Sequence, residues 1–236
     1  MTLIRKGSRG YDVKITQEYL TKCGYDTNGV DGIFGGGSDK ATRDFQKDFG
    51  LGTDGIVGNG TASKLLDIYW TDISDKAEDL PWMQEAFKDY FVSEVKGGKH
   101  SPKVLAFWKD AKLGGIKDDE TPYCAGAVSA WLERSDIRSQ RTAWARNYLK
   151  QGVKLEEPKF GAIVVFSRGK GGHVGFVTGV TKDGSQIRVL GANQSDSVNE
   201  RMFDVNRVLG YRNPHQDFTL PDAPIIDSDV TSNNEA

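Results

Sequence analysis

The chain has only two cysteines among its 236 residues, Cys23 and Cys124, and they lie far apart in the sequence. A framework of structural disulfides is therefore not expected, and a reducing site of synthesis is the natural interpretation. The sequence also lacks an apolar run long enough to cross a bilayer, which argues against a membrane protein. The first residues lack the apolar segment of a secretory signal, so synthesis in the cytoplasm without a signal peptide is expected.

Charge is nearly balanced over the whole chain, with a formal net charge of −2, but it is unevenly distributed. Residues 80–215 carry 21 Lys and Arg against 15 Asp and Glu, whereas 67–79 and 216–236 are acidic. The mildly basic character of residues 80–215 would favour binding to an anionic polymer. Zinc-finger spacing, an aromatic sheet signature and a basic helix are all missing, so nucleic acid is not expected as a partner.

Ligand spacings typical of metal sites are absent too, and neither a metal nor a cofactor is expected. One alternative stays open. Asp118 and Asp119 precede Cys124 closely enough to form a calcium site, although they lack the alternating pattern of a loop chelator.

A short internal repeat marks the first part of the chain. Asp31-Gly32-Ile33-Phe34-Gly35 recurs as Asp54-Gly55-Ile56-Val57-Gly58. Asp-Gly favours a tight turn, and the apolar pair anchors it. Two stripes at helical spacing accompany the repeat: Val13, Thr16, Leu20, Cys23 and Ala41, Phe45, Phe49. This pattern predicts three short helices around a small core, with Cys23 facing inward.

Residues 3–66 resemble the small three-helix peptidoglycan-binding domain. The resemblance is carried by Asp12-Val13, Gln17, Gly24-Tyr25, Phe45-Gln46, Gly50-Leu51 and both copies of the repeat. It implies binding to the bacterial cell wall. The candidate wall-binding residues are Asp31, Gly32, Phe34, Asp54 and Gly55.

Cys124 stands in a sequence typical of a helix start, Thr121-Pro122-Tyr123-Cys124. Thr121 suits the N-cap and Pro122 the first helical position, which places Cys124 at the third. Free N–H groups and the helix dipole would then lower the pKa of the thiol. His173 at the start of an apolar strand and Asn193 at the end of another complete a possible nucleophile, base and orienting group.

The hairpin between those two strands allows two registers. A three-residue loop Lys182-Asp183-Gly184 would place His173 directly opposite Asn193, on the same face. A two-residue loop would oppose His173 to Gln194 instead and turn Asn193 to the other face.

The remaining pattern of the second region predicts helices first and an antiparallel sheet after them, an α+β order. The predicted helices are 81–95, 102–113, the one that carries Cys124, and 139–150. The predicted strands are 162–166, 173–180, 186–191 and 208–211.

This region resembles the cysteine, histidine-dependent amidohydrolase/peptidase (CHAP) group of peptidoglycan hydrolases, which have a papain-like fold. The matching segments are 119–124, 158–166, 172–177 and 190–196. The resemblance implies Cys124 as nucleophile, His173 as base, Asn193 as orienting residue and Tyr123 as a substrate contact. Several relatives carry a glutamate two positions before the asparagine, where this chain has Gly191.

Taken together, the sequence is most similar to a modular bacteriophage endolysin that acts as a monomer. The expected organisation is a peptidoglycan-binding domain (1–66), an acidic linker (67–79), a hydrolase domain (80–215) and a flexible acidic tail (216–236). The hydrolase would cut an amide of the wall after release from the cytoplasm, as a muramoyl-L-alanine amidase or as an endopeptidase. The alternative is a non-catalytic wall-binding or virion structural protein with a decayed hydrolase domain.

Overall fold

The computed structural model describes residues 3–73, 80–95, 97 and 99–226. The chain divides into two compact units, 1–78 and 79–236, and each is described by itself. Within the described residues, no helix combines the length and the apolar character that a membrane span requires.

The described part of the first unit, residues 3–73, contains three helices: α1 (Tyr11–Lys22), α2 (Gly36–Asp48) and α3 (Asn59–Ile73). Leu20, Phe34 and Phe45 lie at its centre, each at most 1% exposed. Cys23 directly follows α1 and is half-buried rather than enclosed in the core. The predicted linker 67–79 begins inside α3, and residues 74–79 lie outside the described residues.

Two buried glutamines explain the internal repeat. The Gln17 amide donates to Asp31 Oδ1 (3.0 Å) and accepts from the Gly32 N–H (2.8 Å). The Gln46 amide makes the same pair of bonds with Asp54 (2.9 Å) and the Gly55 N–H (2.9 Å). Each copy of the repeat is therefore a turn tied to a helix by one glutamine.

The repeat should be a main source of stability in this unit. Gln46 is 1% exposed, and its amide also donates to Ile56 O (3.0 Å) and Thr61 Oγ1 (3.1 Å). Gln46→Ala would leave several buried polar groups without a partner, so a loss of roughly 2 to 3 kcal/mol in unfolding free energy is expected. Urea unfolding measures it.

The matched control for this prediction lies in the same helix. Lys40 forms an exposed ion pair with Asp44, and such pairs contribute roughly 0 to 1 kcal/mol. Lys40→Ala should therefore change stability little. Equal effects of Lys40→Ala and Gln46→Ala would show that the turn anchors do not stabilise the unit.

The second unit combines helices with one sheet. Its helices are α4 (Pro81–Lys88), α5 (Pro102–Asp110), α6 (Cys124–Arg134) and two 3₁₀ helices, Ala145–Lys150 and Val205–Arg207. Its strands are β1 (Val153–Leu155), β2 (Ile163–Arg168), β3 (Gly171–Thr181), β4 (Gln186–Gln194), β5 (Ser197–Asp204), β6 (Val208–Asn213) and β7 (Ile225–Ile226). The predicted α+β order is present.

The sheet has the strand order β1-β6-β2-β3-β4-β5, and all of these neighbours are antiparallel. The short strand β7 adds a parallel pairing with β3, which makes the sheet mixed rather than purely antiparallel. Phe166 of β2 and Phe203 of β5 stack at 4.6 Å although two strands separate them in the sheet. The sheet is therefore strongly curved, and the candidate residues His173 and Asn193 lie at the same end of β3 and β4.

Three predicted helices are shorter than expected, and the one predicted over 102–113 ends at Asp110. The helix predicted over 81–95 ends at Lys88, because Phe91 adopts a left-handed backbone (φ 65°) and donates to Val198 O (2.8 Å). The helix predicted over 139–150 is only the 3₁₀ helix Ala145–Lys150. In the segment 81–95, a hydrogen bond to the distant strand β5 replaces a helical bond. In the segment 139–150, nearby side chains accept from the backbone instead: Glu133 from Ser139 N, Ser139 from Arg141 N and Thr142 from Trp144 N.

The predicted flexible tail 216–236 is corrected in its first half. Ile225 and Ile226 pair with Val180 and Thr181 of β3. Lys159 Nζ binds Asp222 Oδ1 at 2.7 Å. Residues 216–226 thus pack against the sheet, and residues 227–236 lie outside the described part.

Candidate active site

Cys124 is the first residue of α6, not the third as predicted. The carbonyl of Tyr123 accepts the first helical bond, from Ala127 N (2.8 Å), so Tyr123 is the N-cap. Asp118 Oδ1 accepts from the Thr121 N–H (2.7 Å) and closes a separate turn before the helix. Thr121 therefore belongs to that turn and does not cap the helix, which begins at Cys124.

The thiol is buried, and this reverses the expected direction of its pKa. Cys124 is 4% exposed, and burial raises the pKa of its thiol above the ordinary value. Hydrogen bonds from the backbone of Val174 and Ala125 and the charge of Arg168 act in the opposite direction. The contact with Val174 places the thiol against the main chain of β3, at the residue that follows His173.

His173 is fully buried on β3, and polar and aromatic contacts hold its ring. Its Nε2 lies 3.0 Å from Gln194 Oε1. Its ring stacks with Phe203 (centroids 5.5 Å apart) and Phe166 (6.2 Å). The imidazole therefore has a defined orientation in the protein.

The surroundings of Gln194 determine which imidazole nitrogen carries a proton. Gln194 Nε2 donates to the carbonyl oxygen of Asn199 (2.7 Å), a group that can only accept. This fixes the amide orientation and leaves Oε1, an acceptor, against the ring. His173 Nε2 must then be the protonated nitrogen, and Nδ1 carries the lone pair that a general base needs.

Asn193, the predicted orienting residue, does not make the contact with Nε2; Gln194 makes it. Both proposed hairpin registers occur, because a bulge between Val177 and Gly179 shifts the β3–β4 pairing by one residue. A second irregularity lies in β4 itself, where Asn193 is 7% exposed and has a left-handed backbone (φ 59°). A bulge reorients the residues after it, which alternation alone does not predict.

Gly191 provides the space that Gln194 occupies. A side chain at position 191 would place its Cβ 2.8 Å from Gln194 Oε1 and 3.2 Å from His173 Nε2. The position where several relatives carry a glutamate therefore has to be small in this chain. Gln194, three residues further along β4, contacts the imidazole instead.

The other predicted binding residues are used inside the protein. Tyr123 is 0% exposed and stacks on Phe107 (6.2 Å), so it offers no surface to a substrate. Phe34 is a core residue, and the N–H groups of Gly32 and Gly55 are bound to the glutamines.

Asp31 and Asp54 are exposed carboxylates, each fixed in its turn. Hydrogen bonds lower the pKa of both carboxylates. The largest contribution comes from the Gln17 amide at Asp31 and from the Ile56 N–H at Asp54. Both carboxylates therefore remain open to contact with a ligand, and their role in wall binding stays a prediction.

The acidic residues before Cys124 bind groups of the chain. Buried Asp119 accepts from Ser101 N (2.7 Å) and Val95 N (2.9 Å) and lies 2.8 Å from His100 Nδ1. His100 is thus paired with Asp119, whose hydrogen bond raises its pKa. Among the described residues, no cluster of three or more acidic, histidine or cysteine side chains has a metal-binding arrangement.

Comparison with known families identifies two regions. Residues 9–65 match the family described as "Putative peptidoglycan binding domain", and residues 106–193 match the CHAP domain family. The predicted order of a peptidoglycan-binding domain followed by a CHAP domain is confirmed by these matches. The second matched region contains Cys124, His173 and Asn193, and it ends just before Gln194.

Similar proteins match over a short stretch only. The spore cortex-lytic enzyme of Bacillus cereus is 42% identical over 64 residues, which are 27% of this chain and 25% of that enzyme. The Bacillus subtilis enzyme is 40% identical over 65 residues, 27% of this chain and 21% of that enzyme. This chain thus spans about a quarter of the length of the curated relatives it matches. The crystal structure of the SleB N-terminal domain is 40% identical, covering 29% of this chain and 93% of that one, with a TM-score of 0.28.

Proposed function

We propose that this chain is a peptidoglycan hydrolase in which the first unit binds the wall and the second cleaves an amide. The observation that carries the proposal is the meeting of Cys124, at the first position of α6, with β3 immediately after His173. A cysteine at a helix start beside an oriented histidine is the arrangement of cysteine hydrolases. The CHAP match over the same residues supports it, and so does the name of the relatives, spore cortex-lytic enzyme.

The proposed reaction begins with a neutral thiol, since burial raises the pKa of Cys124. His173 Nδ1 accepts the thiol proton as the sulfur attacks the scissile carbonyl carbon. The oxyanion is stabilised by backbone N–H groups in the first turn of α6, which have no helical acceptor. The imidazolium then protonates the leaving amine, and the acyl–enzyme is hydrolysed by water. Gln194 is proposed to hold the imidazole in the reactive orientation.

Bacterial peptidoglycan is the proposed partner, and an endolysin role in phage lysis is the proposed biological setting. The proposal covers two kinds of amide bond. The acyl group of the cleaved amide is either the lactyl group of muramic acid or an amino acid of the stem or cross-link. Both reactions use the same nucleophile and base. The rival hypothesis of a decayed hydrolase predicts no chemistry at all, although the residues that the chemistry needs are present.

Separating the two units tests the division of labour. Fragment 1–78 should sediment with purified peptidoglycan, and fragment 79–236 should still cleave small soluble muropeptides. Loss of the first unit should reduce activity on intact walls by roughly 10²-fold or more, because tethering raises the local enzyme concentration. These boundaries keep α3 intact and retain the strand β7.

Comparison of the two substrates provides the control. The reduction should be much smaller on soluble muropeptides than on sacculi, because a small fragment gains nothing from tethering. An equal reduction on both would mean that the first unit supports the structure of the second, and the proposed division would be wrong.

A further inference from the structure

Trp144 stands apart from the other tryptophans of the second unit. Trp82, Trp108 and Trp131 are 0% exposed, whereas Trp144 is 70% exposed. A single exposed apolar residue is common on protein surfaces and needs no function by itself. Trp144 is distinguished by its hydrogen-bonded backbone and by its position near the site.

The loop before Trp144 is fastened to α6 by one carboxylate. Glu133 accepts from the Ser139 N–H (2.9 Å), from Arg141 Nε (3.0 Å) and from Arg141 Nη2 (2.9 Å). The hydrogen bond from Arg141 is the first cause that lowers the pKa of Glu133 to about 2. The loop is therefore anchored rather than loosely solvated.

Trp144 itself is fixed through its backbone. Its N–H donates to Thr142 Oγ1 (3.0 Å), and its carbonyl accepts from Asn147 N (3.0 Å). The Asn147 side chain also donates to Thr142 Oγ1 (3.0 Å). The indole is thus presented to solvent from a well-defined backbone, so binding a ligand would have to order the side chain but not the loop.

The 3₁₀ helix that follows Trp144 touches both halves of the candidate site. Arg146 Nε donates to Gly171 O (2.6 Å), two residues before His173. Tyr148 Oη donates to Ala125 O (3.2 Å), the residue after Cys124. Trp144 therefore lies at the edge of a segment that joins the nucleophile helix to the histidine strand.

From this placement we infer that Trp144 is a carbohydrate-binding platform beside the cleavage site, which stacks on a pyranose ring of the glycan. A flat indole that is 70% exposed fits a ligand with an apolar face and polar edges, as a sugar ring has. Arg141 and Arg146, three residues before it and two after it in the chain, are exposed. The guanidinium N–H groups that remain beyond their bonds to Glu133 and to the carbonyls of Gly169 and Gly171 suit hydroxyl, amide and carboxylate groups at the ring edge. This inference rests on the proposed function, because it takes the wall glycan as the ligand.

Binding can be tested without catalysis, in the full chain carrying Cys124→Ala. A peptide-free disaccharide of N-acetylglucosamine and N-acetylmuramic acid is titrated while the indole N–H signals are followed by NMR. The signal that Trp144→Ala removes should shift saturably. In the Trp144→Ala variant, the affinity of the second unit for the disaccharide, measured by calorimetry, should fall roughly 10-fold or more.

Matched variants complete the test. Trp144→Phe should retain part of the affinity, and Leu209→Ala, at another exposed apolar residue, should retain all of it. A Trp144 signal that ignores the disaccharide, or that responds only to a sugar-free stem peptide, would overturn the inference. These readouts need no turnover. Failure of the wild-type protein to cleave peptidoglycan would instead count against the proposed function.

Discussion

Replacing Cys124 by alanine is expected to abolish cleavage of peptidoglycan, with a loss of at least about 10³-fold that reaches the detection limit of a turbidity assay. The thiol supplies the only sulfur nucleophile in the second unit, since Cys23 lies in the first. The substitution removes a small buried group, so binding to sacculi and the unfolding transition should change little. Serine should be nearly as inactive, because a hydroxyl is a much weaker nucleophile than a thiol at this position.

Cys23→Ala is the matched control and should lyse sacculi at the wild-type rate. Alkylation by iodoacetamide adds a second readout. Because burial raises the pKa of Cys124, its labelling should be slow at neutral pH and should accelerate as the pH rises towards and beyond the ordinary thiol range. Full lysis by Cys124→Ala would remove the proposed nucleophile from consideration.

Removal of the base should have a comparable effect, and removal of its orienting residue a smaller one. His173→Ala is expected to lose at least about 10³-fold in kcat/KM, because it removes the proposed acceptor of the thiol proton. Gln194→Ala should lose roughly 10-fold to 100-fold, mainly in kcat, since a misoriented imidazole remains present. Steady-state kinetics on a soluble muropeptide separates kcat from KM.

Two neighbouring substitutions sharpen this comparison. Asn193→Ala should lose less than Gln194→Ala, because Gln194 is the residue at His173 Nε2. Gly191→Ala should resemble Gln194→Ala, since the added Cβ would displace the glutamine amide. If Asn193→Ala is the more damaging change, the orienting role belongs to Asn193 as the sequence suggested. The assignment of Gln194 would then be wrong.

The contrast between Cys124 and Gln194 shows which parts of the site were predictable. Cys124 lies at a helix start and His173 in an apolar strand, and local sequence patterns predict both elements. Both elements are present in the structure. The contact of Gln194 depends on bulges in β3 and β4. A bulge depends on how neighbouring strands pair in a curved sheet, so the alternation of side chains along one strand does not predict it.

The same distinction holds for the fold. The four strands predicted from long apolar runs are present as β2, β3, β4 and β6. Strand β5 was missed because its sequence, Ser197–Asp204, is mostly polar, and its residues are satisfied only by partners across the sheet. In the first unit, the repeat was recognised as a pair of turns, but the buried glutamines that hold them gave no signal in the periodicity.

Mass spectrometry of the fragments released from purified sacculi tests the central claim most directly. The proposal predicts products in which one amide has gained the elements of water, giving a new amine and a new carboxylate, while every glycosidic bond stays intact. Cys124→Ala should release none of these fragments. New reducing sugar ends in the products, or identical fragments from the wild type and Cys124→Ala, would contradict a cysteine-dependent amide hydrolase.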